Sequence, residues 1–161
     1  MLTWAIGSAA LGAAACGDSL ERACTDVGCR SQTTLDFAAL GVTFEEGEVE
    51  ACRNEQCWRA TLRLNEDGET QFLRLDEADA YAAELRITPL ADGLSVRASF
   101  PALNPSDIAV GDVLKVTFTD LSGTAQIAVS GKTRTVSDSY PNGPDCDPSP
   151  CRQATAEVTD S

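Results

Sequence analysis

Hydrophobic and polar residues alternate with a period of two along most of the chain from residue 33 onward. In residues 58–64, Trp58, Ala60, Leu62 and Leu64 fall on one face and polar side chains fall on the other. Because successive side chains of a strand point to opposite faces of a sheet, this alternation predicts half-buried strands, with Trp58 in the core. Similar runs occur at 33–38, 42–51, 71–75, 84–88, 94–100, 114–118, 125–129 and 154–158.

Turn-forming residues separate these runs, as expected between short antiparallel strands. They are Glu66-Asp67-Gly68, Asp92-Gly93, Ser122-Gly123 and Gly131-Lys132. Eight or nine strands with polar turns predict an all-β fold, a single immunoglobulin-like antiparallel β-sandwich over residues 33–161. Helix-forming residues and Asp76 as a helix N-cap also predict one short helix near 76–83.

The first fifteen residues are apolar and uncharged. They are too few to cross a bilayer as a helix, which takes roughly 20 residues, but they match the apolar part of an export signal. Ala13-Ala14-Ala15 before Cys16 resembles the lipobox of bacterial lipoproteins. This resemblance implies that residues 1–15 are a lipoprotein-type signal peptide and that Cys16 is acylated.

Residues 16–32 then form a polar tether between the anchor and the folded domain. The alternative is ordinary signal cleavage after Ala15, which would leave Cys16 as a free thiol on a secreted or periplasmic protein. An odd cysteine in an exported protein needs a fate of its own, which favours acylation.

Six further cysteines fall into three pairs of identical spacing, each enclosing four residues: Cys24 with Cys29, Cys52 with Cys57, and Cys146 with Cys151. The spacing predicts three local disulfides, because facing residues of an antiparallel pair are about 4.5–5.5 Å apart, a separation that a disulfide spans. Zinc ligation and thiol redox catalysis both favour two intervening residues, and the chain contains no histidine. We therefore expect no metal and no cofactor.

Acidic residues outnumber basic ones by 25 to 12, for a net charge of −13. This charge repels nucleic acid and anionic lipid headgroups, so neither is expected as a partner, and contact with a membrane is expected through the lipid anchor. The absence of histidine excludes Ser-His-Asp and Cys-His nucleophile systems. No phosphate-binding glycine motif is present, and the sequence indicates no catalytic residue.

Two segments and the lipobox-like start are similar to small surface lipoproteins of Gram-negative bacteria, especially those of myxobacterial type. The segments are Gly111–Asp120 (GDVLKVTFTD) and Pro141–Cys151 (PNGPDCDPSPC). The resemblance implies an immunoglobulin-like sandwich and no catalytic residues. It also implies sorting to the outer membrane, because Gly17 rather than an aspartate follows Cys16.

The sequence therefore predicts a lipid-anchored protein of the cell envelope with a non-catalytic interaction or structural role. Expected partner contacts, with an envelope protein or a glycan, are Tyr140 and Asn142 in the 138–151 loop and Asn54 at the tip of the 53–56 hairpin. A sandwich that binds a glycan or small ligand is the first alternative. A small envelope hydrolase is the second, and it would need two carboxylates facing one another across a cleft.

Overall fold

The computed structural model describes residues 29–41, 45–64, 69–147 and 149–160, and its regular structure is almost entirely β-strand. The strands are β1 (Gln32–Leu40), β2 (Glu46–Arg53), β3 (Gln56–Arg63), β4 (Gln71–Arg74), β5 (Glu84–Leu90), β6 (Gly93–Pro101), β7 (Val113–Asp120), β8 (Ala125–Ser139) and β9 (Cys151–Asp160). A three-residue 3-10 helix, Pro105–Asp107, lies between β6 and β7. The predicted all-β class and the predicted strand number are confirmed.

The nine strands form one sheet, in the order β3-β2-β7-β8-β9-β1-β6-β5-β4, and this sheet is nearly closed on itself. The expected immunoglobulin-like sandwich would have two separate, fully antiparallel sheets. Here β1 joins the two halves, because it pairs antiparallel with β6 on one side and parallel with β9 on the other. The result is a barrel-like molecule whose open seam lies between the edge strands β3 and β4.

The core fills the interior of this curved sheet with the inward-facing residues of the alternating strands. Phe37 on β1 and Phe118 on β7 have ring centres 6.5 Å apart, although two strands separate β1 from β7 in the sheet. Trp58 is only 6% exposed, which confirms its predicted place in the core. The largest fully buried side chains are Phe100, Phe118, Leu35, Leu85, Ile87, Ile108 and Leu114.

Strand β8 continues through Gly131-Lys132, where the sequence predicts a turn. Its first part pairs with β7 and its second part with β9, with a register shift between Ser130 and Gly131. A Cβ atom on Gly131 would lie 2.5 Å from Cδ1 of Leu35 and 3.1 Å from the carbonyl oxygen of Glu157. The turn prediction is therefore wrong: this glycine allows close packing inside a bulged strand.

The segment 76–83 forms bends and turns, so the predicted short helix is wrong. Oδ1 of Asp76 accepts a hydrogen bond from the Ala78 backbone N–H (2.9 Å), and Oδ1 of Asp79 accepts one from the Tyr81 N–H (2.8 Å). Aspartates that bind the backbone two residues ahead compete with helical hydrogen bonding and favour turns. The described part of the chain has no helix that is long and apolar enough to cross a membrane.

Candidate functional site at the tether end

The residues predicted as partner contacts lie in loops at one end of the barrel. We call it the tether end, and it comprises residues 29–31, 53–56, 76–83 and 139–151. It is the end at which the predicted tether would lead into β1, and strands β2, β4, β6 and β8 finish there. Tyr140, Asn142 and Asn54 all belong to it, whereas Cys16 and Cys24 lie outside the described residues.

A disulfide between Cys29 and Cys151 fixes the segment just before β1 to the first residue of β9. Their Cα atoms are 5.9 Å apart and 122 positions apart in sequence. The predicted local pairs Cys24–Cys29 and Cys146–Cys151 are therefore wrong. The physical reason is the parallel pairing of β1 with β9, which brings the residues just before β1 beside the start of β9.

Cys146 is also disulfide-bonded. Its partner is neither Cys29 nor Cys151, which bond to each other, and neither Cys52 nor Cys57, which form the other described pair. The pattern of equal local spacing thus correctly marks cysteines that form disulfides. It does not identify their partners at the two ends of the chain.

The predicted disulfide between Cys52 and Cys57 is confirmed, with a Cα–Cα distance of 4.0 Å. The two residues face one another in the β2–β3 register. Glu50 has a carboxylate oxygen within 4.8 Å of both sulfur atoms, but these sulfurs are bonded to each other and do not act as thiolate ligands.

Asn54 lies at the tip of this hairpin in a left-handed backbone conformation, with φ of 54°. Its backbone N–H donates to the carbonyl oxygen of Val113 (2.7 Å), and its side-chain oxygen accepts from the Val113 N–H (2.9 Å). Its Nδ2 donates to Oδ1 of Asp112 (3.1 Å). The side chain is solvent-exposed, yet its amide connects the hairpin to the start of β7.

The loop after β8 is held in shape by its own polar groups. The Gly143 N–H donates to the carbonyl oxygen of Tyr140 (2.9 Å). Asn142 donates to both carboxylate oxygens of Asp147, through its backbone N–H (3.0 Å) and its Nδ2 (2.9 Å). Asn142 is therefore engaged within the loop, whereas the side chain of Tyr140 is 42% exposed and presents its ring to solvent.

Trp58 and Asp79 connect the two sides of the open seam. Nε1 of Trp58 donates to Oδ2 of Asp79 (2.9 Å), so β3 is tied to the loop that follows β4. This hydrogen bond, together with the one from the Tyr81 N–H, lowers the pKa of Asp79. The hydrogen bond also satisfies the indole N–H of a buried ring, as such rings require.

Arg30, just before β1, connects that segment to the same loop. Its Nη1 lies 2.8 Å from Oε1 of Glu84, and its other terminal nitrogen donates to the carbonyl oxygen of Ala80. Arg74 reaches the same Glu84 oxygen at 2.7 Å. Partial burial alone would raise the pKa of Glu84, but the hydrogen bonds and charges of Arg30 and Arg74 outweigh it and lower the pKa.

Sequence reasoning missed Arg30, Asp79 and Glu84. Arg30 follows Cys29 directly, so a correct disulfide pairing would have placed it at the tether end. Asp79 bonds Trp58 because the two edge strands meet at the seam, and Glu84 pairs with Arg74 because of the β4–β5 register. The spacing of residues along the chain does not reveal the seam or the register.

The tether end combines the point of chain entry, the Cys29–Cys151 disulfide, the adjoining Cys52–Cys57 hairpin and two exposed aromatic rings, Tyr81 and Tyr140. Disulfides and hydrogen bonds cross-link these segments, so the tether end can present a surface of defined shape. Comparison with protein-family models, with curated proteins and with solved structures finds no match to this chain.

Proposed function

We propose that this chain is an exported, lipid-anchored protein of the cell envelope whose barrel has a non-catalytic interaction or structural role. The observation that carries the proposal is the Cys29–Cys151 disulfide, which joins the tether to the last strand. Disulfides form and persist in oxidising compartments and are rare in the cytosol. If six of the seven cysteines form three disulfides, Cys16 is left for acylation. We propose that the lipid anchor lies in the outer membrane.

The entry point of the tether sets the orientation in this proposal. Residues 17–28 span at most roughly 40 Å when fully extended, so the tether end stays near the membrane. Tyr140 would then face partners at the membrane surface. The opposite end of the barrel, which includes the exposed side chains of Leu40, Leu90 and Leu121, would face away from the anchor.

The anchor is tested by growing the native host with labelled palmitate and isolating the wild-type chain, a Cys16→Ala variant and a Ser19→Ala control. We expect label on the wild-type chain and the control, and none on Cys16→Ala. Thiol counting without reductant should find no free thiol in the mature chain. An unlabelled wild-type chain released into the medium, or a native chain with six free thiols, would contradict the proposal.

A second candidate function is binding of a glycan or small ligand through the tether-end loops, and it is favoured by the exposed ring of Tyr140. Exposed aromatic rings stack on apolar ligand faces and anchor partners. A glycan array probed with the wild-type chain and with Tyr140→Ser separates the two candidates. Hits that disappear in the variant favour glycan binding, whereas an array without hits favours a protein partner or a structural role.

A further inference from the structure

Five arginines on the strands lie opposite carboxylates on the neighbouring strand. The cross-strand pairs are Glu46–Arg63, Glu50–Arg59, Glu84–Arg74, Asp36–Arg97 and Asp138–Arg152, and each of them forms an ion pair. Opposite charges in directly facing positions stabilise a sheet, and like charges in those positions destabilise it. The excess of acidic residues makes such partners abundant.

Arg86 on β5 departs from this pattern. It is exposed, and its two facing residues are Phe72 on β4 and a second arginine, Arg97, on β6. Its guanidinium carbon lies 5.6 Å from the centre of the Phe72 ring, a cation–π contact. Among the described residues, no carboxylate lies within ion-pair distance of Arg86.

The surroundings of Arg86 form an open, polar depression of about 230 Å³, lined by Asp36, Arg86, Thr88, Ser95 and Arg97. Thr88 on β5 and Ser95 on β6 face each other. Each lies two residues from one of the two arginines, on the same face of the sheet. Two hydrogen bonds from Arg97, of 2.7 and 3.1 Å, occupy both oxygens of Asp36. The one carboxylate of the depression therefore serves Arg97 and leaves Arg86 without an anion.

We propose that this depression binds the carboxylate of an acidic saccharide unit, with Arg86 as its main contact. The ligand carboxylate would accept two parallel hydrogen bonds from the Arg86 guanidinium, as the Asp36 carboxylate does from Arg97. The Ser95 hydroxyl lines the depression and can bond a sugar hydroxyl, whereas the Thr88 hydroxyl already bonds that of Thr70 (3.0 Å). Phe72, 78% exposed, borders the site. The volume equals that of roughly seven or eight liquid water molecules, which suits one sugar ring.

This inference goes beyond the proposed function, because it concerns a different face of the barrel from the tether end and does not depend on the anchor. It also differs in its chemistry from the Tyr140 loop. A failure of palmitate labelling would leave it untouched, and a failure of saccharide binding would leave the anchor untouched.

Titration calorimetry of the purified full chain with galacturonate, galactose and acetate tests the inference. We expect saturable, salt-sensitive binding of galacturonate, and at least tenfold weaker binding of galactose, which lacks the carboxylate. Arg86→Ala and Arg86→Gln should each weaken galacturonate binding at least tenfold. Arg86→Lys should recover part of it, because it keeps the charge but loses the paired donors.

Arg134→Ala is the matched control, because Arg134 is an exposed arginine on β8 whose partner is Glu157. Equal loss in Arg134→Ala and Arg86→Ala would indicate unspecific attraction and overturn the inference, as would the absence of saturable galacturonate binding. Acetate binding as tight as galacturonate binding would overturn the saccharide assignment. Thermal unfolding of each variant verifies that the barrel remains folded.

Discussion

At the scale of single residues, two buried hydroxyl groups are placed unfavourably. Thr33 on β1 and Thr133 on β8 are fully buried, and neither Oγ1 atom has a hydrogen-bond partner within the described part of the chain. A buried polar atom without a partner costs about 1–3 kcal/mol, whereas valine has nearly the same shape and no such atom. Thr33→Val should therefore raise the free energy of unfolding by about 1 kcal/mol in urea denaturation.

Thr34→Val is the matched control for this prediction. Thr34 is the next residue on β1 and is only half-buried, and its Oγ1 donates to the carbonyl oxygen of Ala154 at 3.3 Å. We expect its substitution to leave stability unchanged or slightly lower. A loss of stability in Thr33→Val would show that the Thr33 hydroxyl does have a partner, such as a buried water molecule.

At the scale of strands and loops, the sequence predicts those features that depend on residues close together along the chain. Alternation of apolar and polar residues located all nine strands, because one face of each strand is buried or, in β4, half-buried. The extension of β8 through Gly131 was missed, because a glycine within a bulge has the same local signature as a glycine in a turn. The 76–83 segment was misassigned because the helix propensity of its alanines is outweighed by side-chain bonds from Asp76 and Asp79.

The bulge in β8 gives a direct test of packing between strands. Gly131→Ala should lower the free energy of unfolding by about 1–3 kcal/mol, because the new methyl group would overlap Cδ1 of the fully buried Leu35. Making room should reduce this cost, so Gly131→Ala should lose less stability in a Leu35→Val background than in the wild-type chain. Equal losses of stability in the two backgrounds would show that the new methyl group does not clash with Leu35. The strain would then come from another contact, such as the Glu157 carbonyl oxygen.

The Trp58–Asp79 hydrogen bond across the seam predicts a dependence of stability on pH. The bond lowers the pKa of Asp79 below its unfolded value of about 3.9, so its contribution is fully present above that pH. The contribution is then lost as the pH falls through the lower pKa of the folded state. Asp79→Asn should therefore be less stable than the wild-type chain at pH 7, and the difference should shrink at pH 3.

Trp58→Phe removes the donor of the same bond and keeps an aromatic ring in the core. Because Trp58 and Asp79 act on one interaction, the double variant should lose less stability than the sum of the two single losses. Urea denaturation followed by circular dichroism at pH 7 and pH 3 measures all three variants. Strict additivity at pH 7 would indicate that the bond does not close the seam.

At the scale of the whole molecule, the disulfides differ in how much of the chain each one constrains. The sequence correctly identified which described cysteines are oxidised, but it could not show that parallel pairing of β1 and β9 brings Cys29 to Cys151. A cross-link limits the unfolded chain more when it closes a longer loop. For a separation of 122 residues this amounts to roughly 5 kcal/mol, and for a separation of 5 residues to roughly 2 kcal/mol.

Replacing both Cys29 and Cys151 by serine should therefore destabilise the barrel clearly more than replacing both Cys52 and Cys57. The second double variant is the control, because it removes a disulfide but only opens a hairpin tip. Equal losses in urea denaturation would indicate that the long-range link does not limit the unfolded chain.

The same pairing makes a prediction about the two cysteines outside the described residues, Cys16 and Cys24. If Cys16 is acylated as proposed, Cys24 is the one cysteine left for Cys146, which is disulfide-bonded. Two parallel links would then connect the tether to the last loop and strand, Cys24 to Cys146 and Cys29 to Cys151. Mass spectrometry of a non-reduced digest, with cleavage between each pair of neighbouring cysteines, should find both cross-linked peptides. A peptide joining Cys16 to Cys146 would contradict acylation, since one sulfur atom cannot carry both a lipid and a disulfide.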